Sequence, residues 1–137
     1  MRVLALDIGE KRVGVAVSDP AGAVASPVAV LPAAEVEGMA APFRRVIEDW
    51  EPELLVCGLP RTLAGEDGPQ AERVRAIAEK IAASCALPLE FADERLSSAE
   101  AKRILREQGL SEKEMRGKVD AIAASLFLQS WLDAGQR

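Results

Sequence analysis

Apolar residues occur along the first half of the chain in short runs that predict three strands, a helix and a fourth strand. The runs at residues 3–8, 14–18 and 24–31 are separated by short turns rich in Gly, Pro and Asp, which indicates an antiparallel arrangement. Apolar residues then recur at helical spacing from Val36 to Trp50, which predicts one helix. Glu51-Pro52 ends this helix before the apolar run 54–58, which predicts the fourth strand.

The second half of the chain predicts a further helix, a fifth strand and a group of helices. Apolar positions from Val74 to Cys85 share one helical face, and the short strand 89–92 follows. Ser97 with Glu100, and Ser111 with Glu114, form capping boxes that start two helices, and the last helix covers about residues 119–132. The order predicts an α/β fold with a five-stranded mixed sheet, in which two parallel crossover units follow three antiparallel strands and helices cover both faces.

Composition narrows the chemistry that this chain can perform. The 137 residues contain no linker or internal repeat, which predicts a single domain over residues 1–137. They also contain no apolar run long enough for a membrane span or a signal peptide, which predicts a cytoplasmic protein. The chain has no histidine, and Cys57 and Cys85 lack metal-ligand spacing. Carboxylates must therefore carry any acid-base or metal chemistry.

Two aspartates interrupt otherwise apolar segments. Asp7 lies inside the first apolar run, and Asp120 is the only charged residue from 119 to 128. Burying an unpaired charge costs several kcal/mol, roughly, unless a cation or hydrogen bonds compensate it. Asp7 is therefore either a ligand or a buried acid that caps local amides, and Asp120 is either a ligand or a first-turn acid that the helix dipole stabilises by ~0.5 kcal/mol.

A third acidic position follows the fifth strand, where Asp93 and Glu94 are adjacent and either can be the functional acid. Ligands of parallel sheets bind at the carboxyl ends of the strands, so we expect this acid to converge with Asp7 and Asp120. Carboxylates brought together repel one another unless a cation intervenes. Oxygen ligands without His or Cys favour Mg²⁺ or Mn²⁺, and one or two such ions suit phosphodiester hydrolysis.

Several cationic residues lie near these acids in the sequence and are candidates for binding substrate phosphates. They are Lys11, Arg12, Arg61, Arg95 and Lys118. Residues 95–118 carry a net charge of +3, which suits a polyanion but is also typical of a solvated helix surface. Four of these cations have a plainer alternative as well: an exposed turn for Lys11 and Arg12, a surface loop for Arg61, and a structural salt bridge for Arg95.

Four ordered segments, which together cover nearly the whole chain, carry a family resemblance. They are Asp7-Ile8-Gly9-Glu10-Lys11-Arg12-Val13-Gly14-Val15-Ala16 with Ser18-Asp19, Gly58-Leu59-Pro60 with Gly65 and Gly68, Asp93-Glu94-Arg95-Leu96-Ser97-Ser98, and Lys118-Val119-Asp120 with Ala123-Ala124. These segments resemble the signature blocks of the YqgF/RuvX family. Ser97-Ser98 stands where the family has Thr-Thr, which keeps both hydroxyl groups.

The resemblance implies an RNase H-like fold, kinship with Holliday-junction resolvases, and a role as the nuclease that matures the 5′ end of the small-subunit ribosomal RNA precursor. It also implies that Asp7, Glu94 and Asp120 are the catalytic and metal-binding acids. The expected partner is nucleic acid, either an RNA precursor or DNA. Precursor ribosomal particles are a further expected partner, and no membrane association is expected. The resemblance leaves open whether the protein is a monomer or a homodimer.

The leading hypothesis is thus a divalent-metal-dependent endonuclease, and three alternatives stay open. One is a DNA nuclease of the resolvase kind. Another is a non-catalytic RNA-binding or ribosome-assembly module, against which the 4% aromatic content and the lack of tyrosine argue. The third is an actin-like ATPase, because Asp-x-Gly after a first strand also begins the phosphate-binding loop of that class of enzymes. A single domain without a second glycine-rich loop argues against this ATPase alternative.

Overall fold

A five-stranded mixed sheet forms the centre of the computed structural model, which describes residues 1–60, 68–93, 97–115 and 117–135. Its strands are β1 (Val3–Ile8), β2 (Arg12–Ser18), β3 (Ala25–Pro32), β4 (Leu54–Leu59) and β5 (Leu89–Asp93). The strand order is β3-β2-β1-β4-β5; β2 is antiparallel to both β1 and β3, and β4 and β5 are parallel to β1. The predicted topology is confirmed.

Helices cover both faces of this sheet. They are α1 (Ala33–Glu37), α2 (Ala41–Trp50), α3 (Pro69–Cys85), α4 (Ser97–Glu107), α5 (Glu112–Met115) and α6 (Val119–Asp133). Period-two alternation along β1 sends Leu4 and Leu6 into a core with residues of α1, α2 and α3, and sends Val3 and Ala5 into a second core with α6. In the helices that the structure describes, no segment is long and apolar enough to cross a bilayer.

The prediction of one continuous helix from Val36 to Trp50 is wrong, because α1 and α2 are separate. Gly38 is the C-cap of α1, and Met39 has a left-handed backbone with φ 55°. A new helix then starts with Pro42 in its first turn. Within a continuous helix this proline would remove a hydrogen bond and clash with the preceding turn, at a cost of about 3 kcal/mol, whereas the first turn of a helix accepts it.

The predicted capping box of Ser111 and Glu114 starts a helix where the sequence predicts one. The Ser111 hydroxyl oxygen accepts a hydrogen bond from the Glu114 N–H at 3.2 Å, and a Glu114 carboxylate oxygen accepts one from the Ser111 N–H at 2.9 Å. This reciprocal pair precedes α5 as expected. Helix α4 begins at Ser97, also as predicted, although the side chain that would cap it lies outside the part of the chain that is described.

An aspartate organises the turn between β2 and β3. Asp19 Oδ1 accepts hydrogen bonds from the backbone N–H groups of Val24 and Ala23, at 3.1 and 2.7 Å. These bonds, the one from Val24 foremost, hold the pKa of Asp19 below its ordinary value of 3.8. The charged form of Asp19 is therefore the form that stabilises this turn.

We expect Asp19→Asn to lower the melting temperature at pH 7 and to lower it less at pH 3. Because the pKa of Asp19 is lower in the folded state than in the unfolded state, its contribution is complete above pH 3.8 and is lost as the pH falls through the folded pKa. Thermal unfolding of both proteins, followed by circular dichroism at each pH, measures the difference. An equal difference at both pH values would mean that the charge of Asp19 does not stabilise the turn.

Candidate active site

Asp7 lies near the carboxyl end of β1, on the sheet face that α6 covers. Strand alternation places it on the same side as Val3 and Ala5, both of which belong to the core beneath α6. Asp7 itself is half-buried, and its register partner on β2 is Gly14. Paired residues of an antiparallel ladder direct their side chains to the same face, so Gly14 also faces α6.

The missing side chain of Gly14 allows α6 to approach the sheet. A Cβ atom at Gly14 would overlap the backbone carbonyl of Asp120 in the first turn of α6. The backbone of this turn therefore lies directly on β2, one strand away from Asp7, a lateral step of about 5 Å. The register of two strands and one close helix contact thus bring together two of the three predicted acids.

Asp120 makes an ion pair with one of the predicted phosphate-binding cations. Arg12 Nε donates a hydrogen bond to Asp120 Oδ2 at 3.3 Å. The Asp120 side chain is 28% exposed and the Arg12 side chain 54% exposed, so the pair lies at the protein surface. Sequence reasoning placed both residues in the site but did not foresee that they contact each other.

Two other predicted cations, Lys11 and Lys118, lie at the same end of the sheet. Lys11 is exposed in the turn between β1 and β2, and its carbonyl oxygen accepts a hydrogen bond from the Ala33 N–H at 2.9 Å. Lys118 is exposed at the N-cap position of α6, two residues before Asp120. Arg61 and Arg95 lie outside the described residues.

The alternation of β5 separates the two adjacent acids at its end. Phe91 packs against the core beneath α3, and Ala92 belongs to the core beneath α6. Asp93 therefore lies on the α3 side of the sheet, away from the side that carries Asp7. Glu94 lies outside the described residues, and within the described ones no group of three acidic, Cys or His side chains forms a metal cluster.

The chemistry of the described residues fits a hard divalent cation. The chain has no histidine, and Cys57 is buried in the core on the opposite face of the sheet from Asp7. Asp7 and Asp120 consequently offer carboxylate oxygens without nitrogen or sulfur competitors nearby. Such a donor set selects Mg²⁺ or Mn²⁺ over zinc.

Gly14 is the residue whose role sequence reasoning missed, although its signal was present. Glycine inside a strand weakens the strand and often marks a close approach of another backbone. Gly58 and Ala92, at the ends of β4 and β5, are also small and alternate onto the face that carries Asp7.

The α/β fold of this chain is similar to that of solved Holliday junction resolvases. The chain superposes on the fowlpox virus resolvase, solved with Holliday junction DNA, with a TM-score of 0.58 over 100% of both chains at 13% identity. It superposes on Thermus thermophilus RuvC, also solved with a Holliday junction, with a TM-score of 0.55, covering 98% of this chain and 94% of that one at 17% identity. These similarities confirm the RNase H-like fold.

The sequence comparison is more specific. The model of the family described as "RuvX: Holliday junction resolvase" matches residues 1–134, and the chain belongs to this family. A relative from Anaeromyxobacter sp. (strain Fw109-5) is 43% identical over 133 residues, which is 97% of each chain. Another, from Thermosynechococcus vestitus, is 43% identical over 96% of this chain and 87% of its own length. Both relatives carry the name "Putative pre-16S rRNA nuclease".

Proposed function

We propose that this protein is a divalent-metal-dependent endonuclease that hydrolyses phosphodiester bonds in the precursor of small-subunit ribosomal RNA during maturation of its 5′ end. The observation that carries the proposal is the convergence of Asp7 and Asp120 on one sheet face, which the contact between Gly14 and α6 produces. The names of the 43% identical relatives support the choice of pre-16S rRNA as the substrate.

Each acid in the proposal has a stated role. Asp7 and Asp120 hold Mg²⁺ or Mn²⁺ through carboxylate oxygens, and Glu94 completes the set. When bound, the cation supplies an activated water and stabilises the leaving oxygen. Glu94 is preferred to Asp93 because the family resemblance of the sequence implies Glu94, and because Asp93 lies on the α3 side of the sheet, away from the side that carries Asp7.

The cations bind and orient the substrate strand. Lys11, Arg12 and Lys118 are exposed at the same end of the sheet as Asp7 and Asp120, where their side chains meet phosphates that flank the cleaved bond. Arg61 and Arg95 are assigned the same role from the sequence. The proposed setting is a single domain in the cytoplasm, acting as a monomer or homodimer on free RNA or on precursor ribosomal particles.

Cleavage of defined substrates tests this function. An RNA that carries the precursor segment upstream of the mature 16S 5′ end is incubated with the protein and Mn²⁺ or Mg²⁺, and with EDTA as the control. We expect one cut near the mature end that EDTA abolishes. Binding without cleavage under all metal conditions would contradict the proposal and favour an RNA-binding or ribosome-assembly module.

A second candidate substrate is a DNA four-way junction, which the description of the matching family favours. The same assay therefore includes a synthetic Holliday junction and a linear duplex of equal length. Cleavage of the junction with no cleavage of the RNA would replace the ribosomal proposal with the resolvase one. Both outcomes retain the metal-dependent chemistry of the acids.

Substitution of the two adjacent acids tests the third ligand. We expect Glu94→Gln to lower the cleavage rate by about 100-fold or more, because a carboxylate ligand is lost while its shape is kept. Asp93→Asn is the matched control and is expected to change the rate only a few-fold. Mn²⁺ affinity, measured by calorimetry, should follow the same order. The reverse order would assign the third ligand to Asp93.

A further inference from the structure

Arg12 is anchored at its backbone and movable at its side chain. It is the first residue of β2, and its Cα pairs with Pro32 of β3, so the ladder fixes where the side chain begins. The side chain is 54% exposed, and its Nε bonds Asp120 Oδ2 at 3.3 Å. Changing the side-chain rotamers alone is therefore enough to move the guanidinium away from Asp120.

The ion pair compensates the charge of one of the converging acids. Asp7 and Asp120 occupy the same end of one sheet face, and like charges brought close together destabilise each other. The guanidinium of Arg12 supplies positive charge at Asp120 without any bound ion. A metal ion held by Asp120 would need the same carboxylate, so the two positive charges would compete for it.

We propose that Arg12 binds the Asp120 carboxylate in place of a metal ion when no substrate is present. A substrate phosphate then binds the guanidinium, which leaves Asp120, so that nucleic acid and metal ion bind cooperatively. This inference rests on the proposed function and adds a coupling between its two ligands. Arginine is suited to the exchange because its planar donors bind carboxylate and phosphate in similar geometry. By linkage, whatever factor RNA adds to metal affinity, metal adds to RNA affinity.

The size of the effect follows from the exposure of the pair. Exposed ion pairs stabilise only modestly, which corresponds to a factor of about 2 to 5 in an equilibrium constant. Arg12→Gln is therefore expected to bind Mn²⁺ about 2- to 5-fold more tightly than the natural protein when no RNA is present. Lys11→Gln, which removes an equal charge from the neighbouring position, is expected to change this affinity by less than about 1.5-fold.

Calorimetric titration with Mn²⁺ tests the coupling. The full chain is titrated once alone and once in the presence of a ten-nucleotide single-stranded RNA, whose integrity is checked afterwards by electrophoresis. RNA phosphates attract the cation directly in both proteins, so the readout is the difference between them. The gain in Mn²⁺ affinity that RNA produces should be about 2- to 5-fold larger in the natural protein than in Arg12→Gln. An equal gain in the two proteins, or unchanged Mn²⁺ affinity in Arg12→Gln without RNA, would overturn the inference.

The outcomes for Arg12 and for the proposed function are separable. Normal Mn²⁺ binding and RNA cleavage by the natural protein, with no difference in coupling for Arg12→Gln, would overturn only the role of Arg12. Failure of the natural protein to bind Mn²⁺ at all would overturn both proposals. The melting temperature of each variant, measured first, shows that the comparison is made between folded proteins.

Discussion

Replacing Asp7 with Asn is expected to lower the metal-dependent cleavage rate by about 100-fold or more while the protein stays folded. The substitution keeps the size of the side chain and one oxygen, but removes the negative charge on which a hard cation depends. Asp7 is half-buried at the end of β1, so an amide of the same shape fits the position without a cavity. The main effect should therefore appear in metal binding and catalysis rather than in stability.

Two measurements separate these effects for Asp7→Asn. Calorimetry should show Mn²⁺ binding weakened by about tenfold or more, and thermal unfolding should show a melting temperature within a few degrees of the natural protein. Asp49→Asn, an exposed acid on α2, is the matched control and is expected to leave cleavage unchanged. Full activity of Asp7→Asn would remove Asp7 from the metal site and with it the proposed mechanism.

The sheet could be predicted from the sequence because each strand is marked by local chemistry. Short turns between residues 8 and 25 allow only antiparallel neighbours, and the helices before β4 and β5 require parallel crossovers. The break between α1 and α2 was not predicted, because Val36 and Phe43 keep helical spacing across Gly38. Both residues are fully buried in the same core, so the helical spacing of apolar residues continues across the break between the two helices.

Candidate acids could be selected from the sequence, but their environment could not be predicted. Asp7 and Asp120 stand out because each is a charge in an apolar segment, and that signal needs no coordinates. The contact between Arg12 and Asp120 joins positions that are 108 residues apart, and nothing local in either segment encodes which way an exposed arginine turns. Alternation assigns Asp93 to the α3 side only once the neighbours of Phe91 and Ala92 are known.

Gly14→Ala is expected to destabilise the protein by about 3 kcal/mol, near the upper end for overpacked sites, which corresponds to a fall in melting temperature of roughly 10 °C. The added Cβ would overlap backbone atoms of Asp120 and Ala121, which cannot turn aside as a flexible side chain would. Helix α6 must then shift as a unit, because its residues Ala124 and Phe127 are packed in the core below. Urea unfolding followed by circular dichroism measures the loss.

Gly117→Ala is the matched control, since a Cβ at Gly117 meets no atom within 4 Å. This variant is expected to be as stable as the natural protein, or more stable by about 0.4–1 kcal/mol if alanine adopts the native backbone without strain. The two variants add the same methyl group within the same region, so a difference between them reports the contact of α6 with β2. Equal stability of both would mean that α6 does not rest on Gly14.

Activity of Gly14→Ala then tests whether this contact also sets the geometry of the acids. At a temperature where the variant is folded, a displaced first turn of α6 should move Asp120 relative to Asp7 and weaken both Mn²⁺ binding and cleavage. A displacement of about 1 Å is enough to cost catalysis on the order of 100-fold. Because Gly14 has no side chain that could act in the reaction, a loss of that size in folded protein would arise from the spacing of the two carboxylates. Normal cleavage by the folded variant would instead show that Asp120 does not need the position that Gly14 allows.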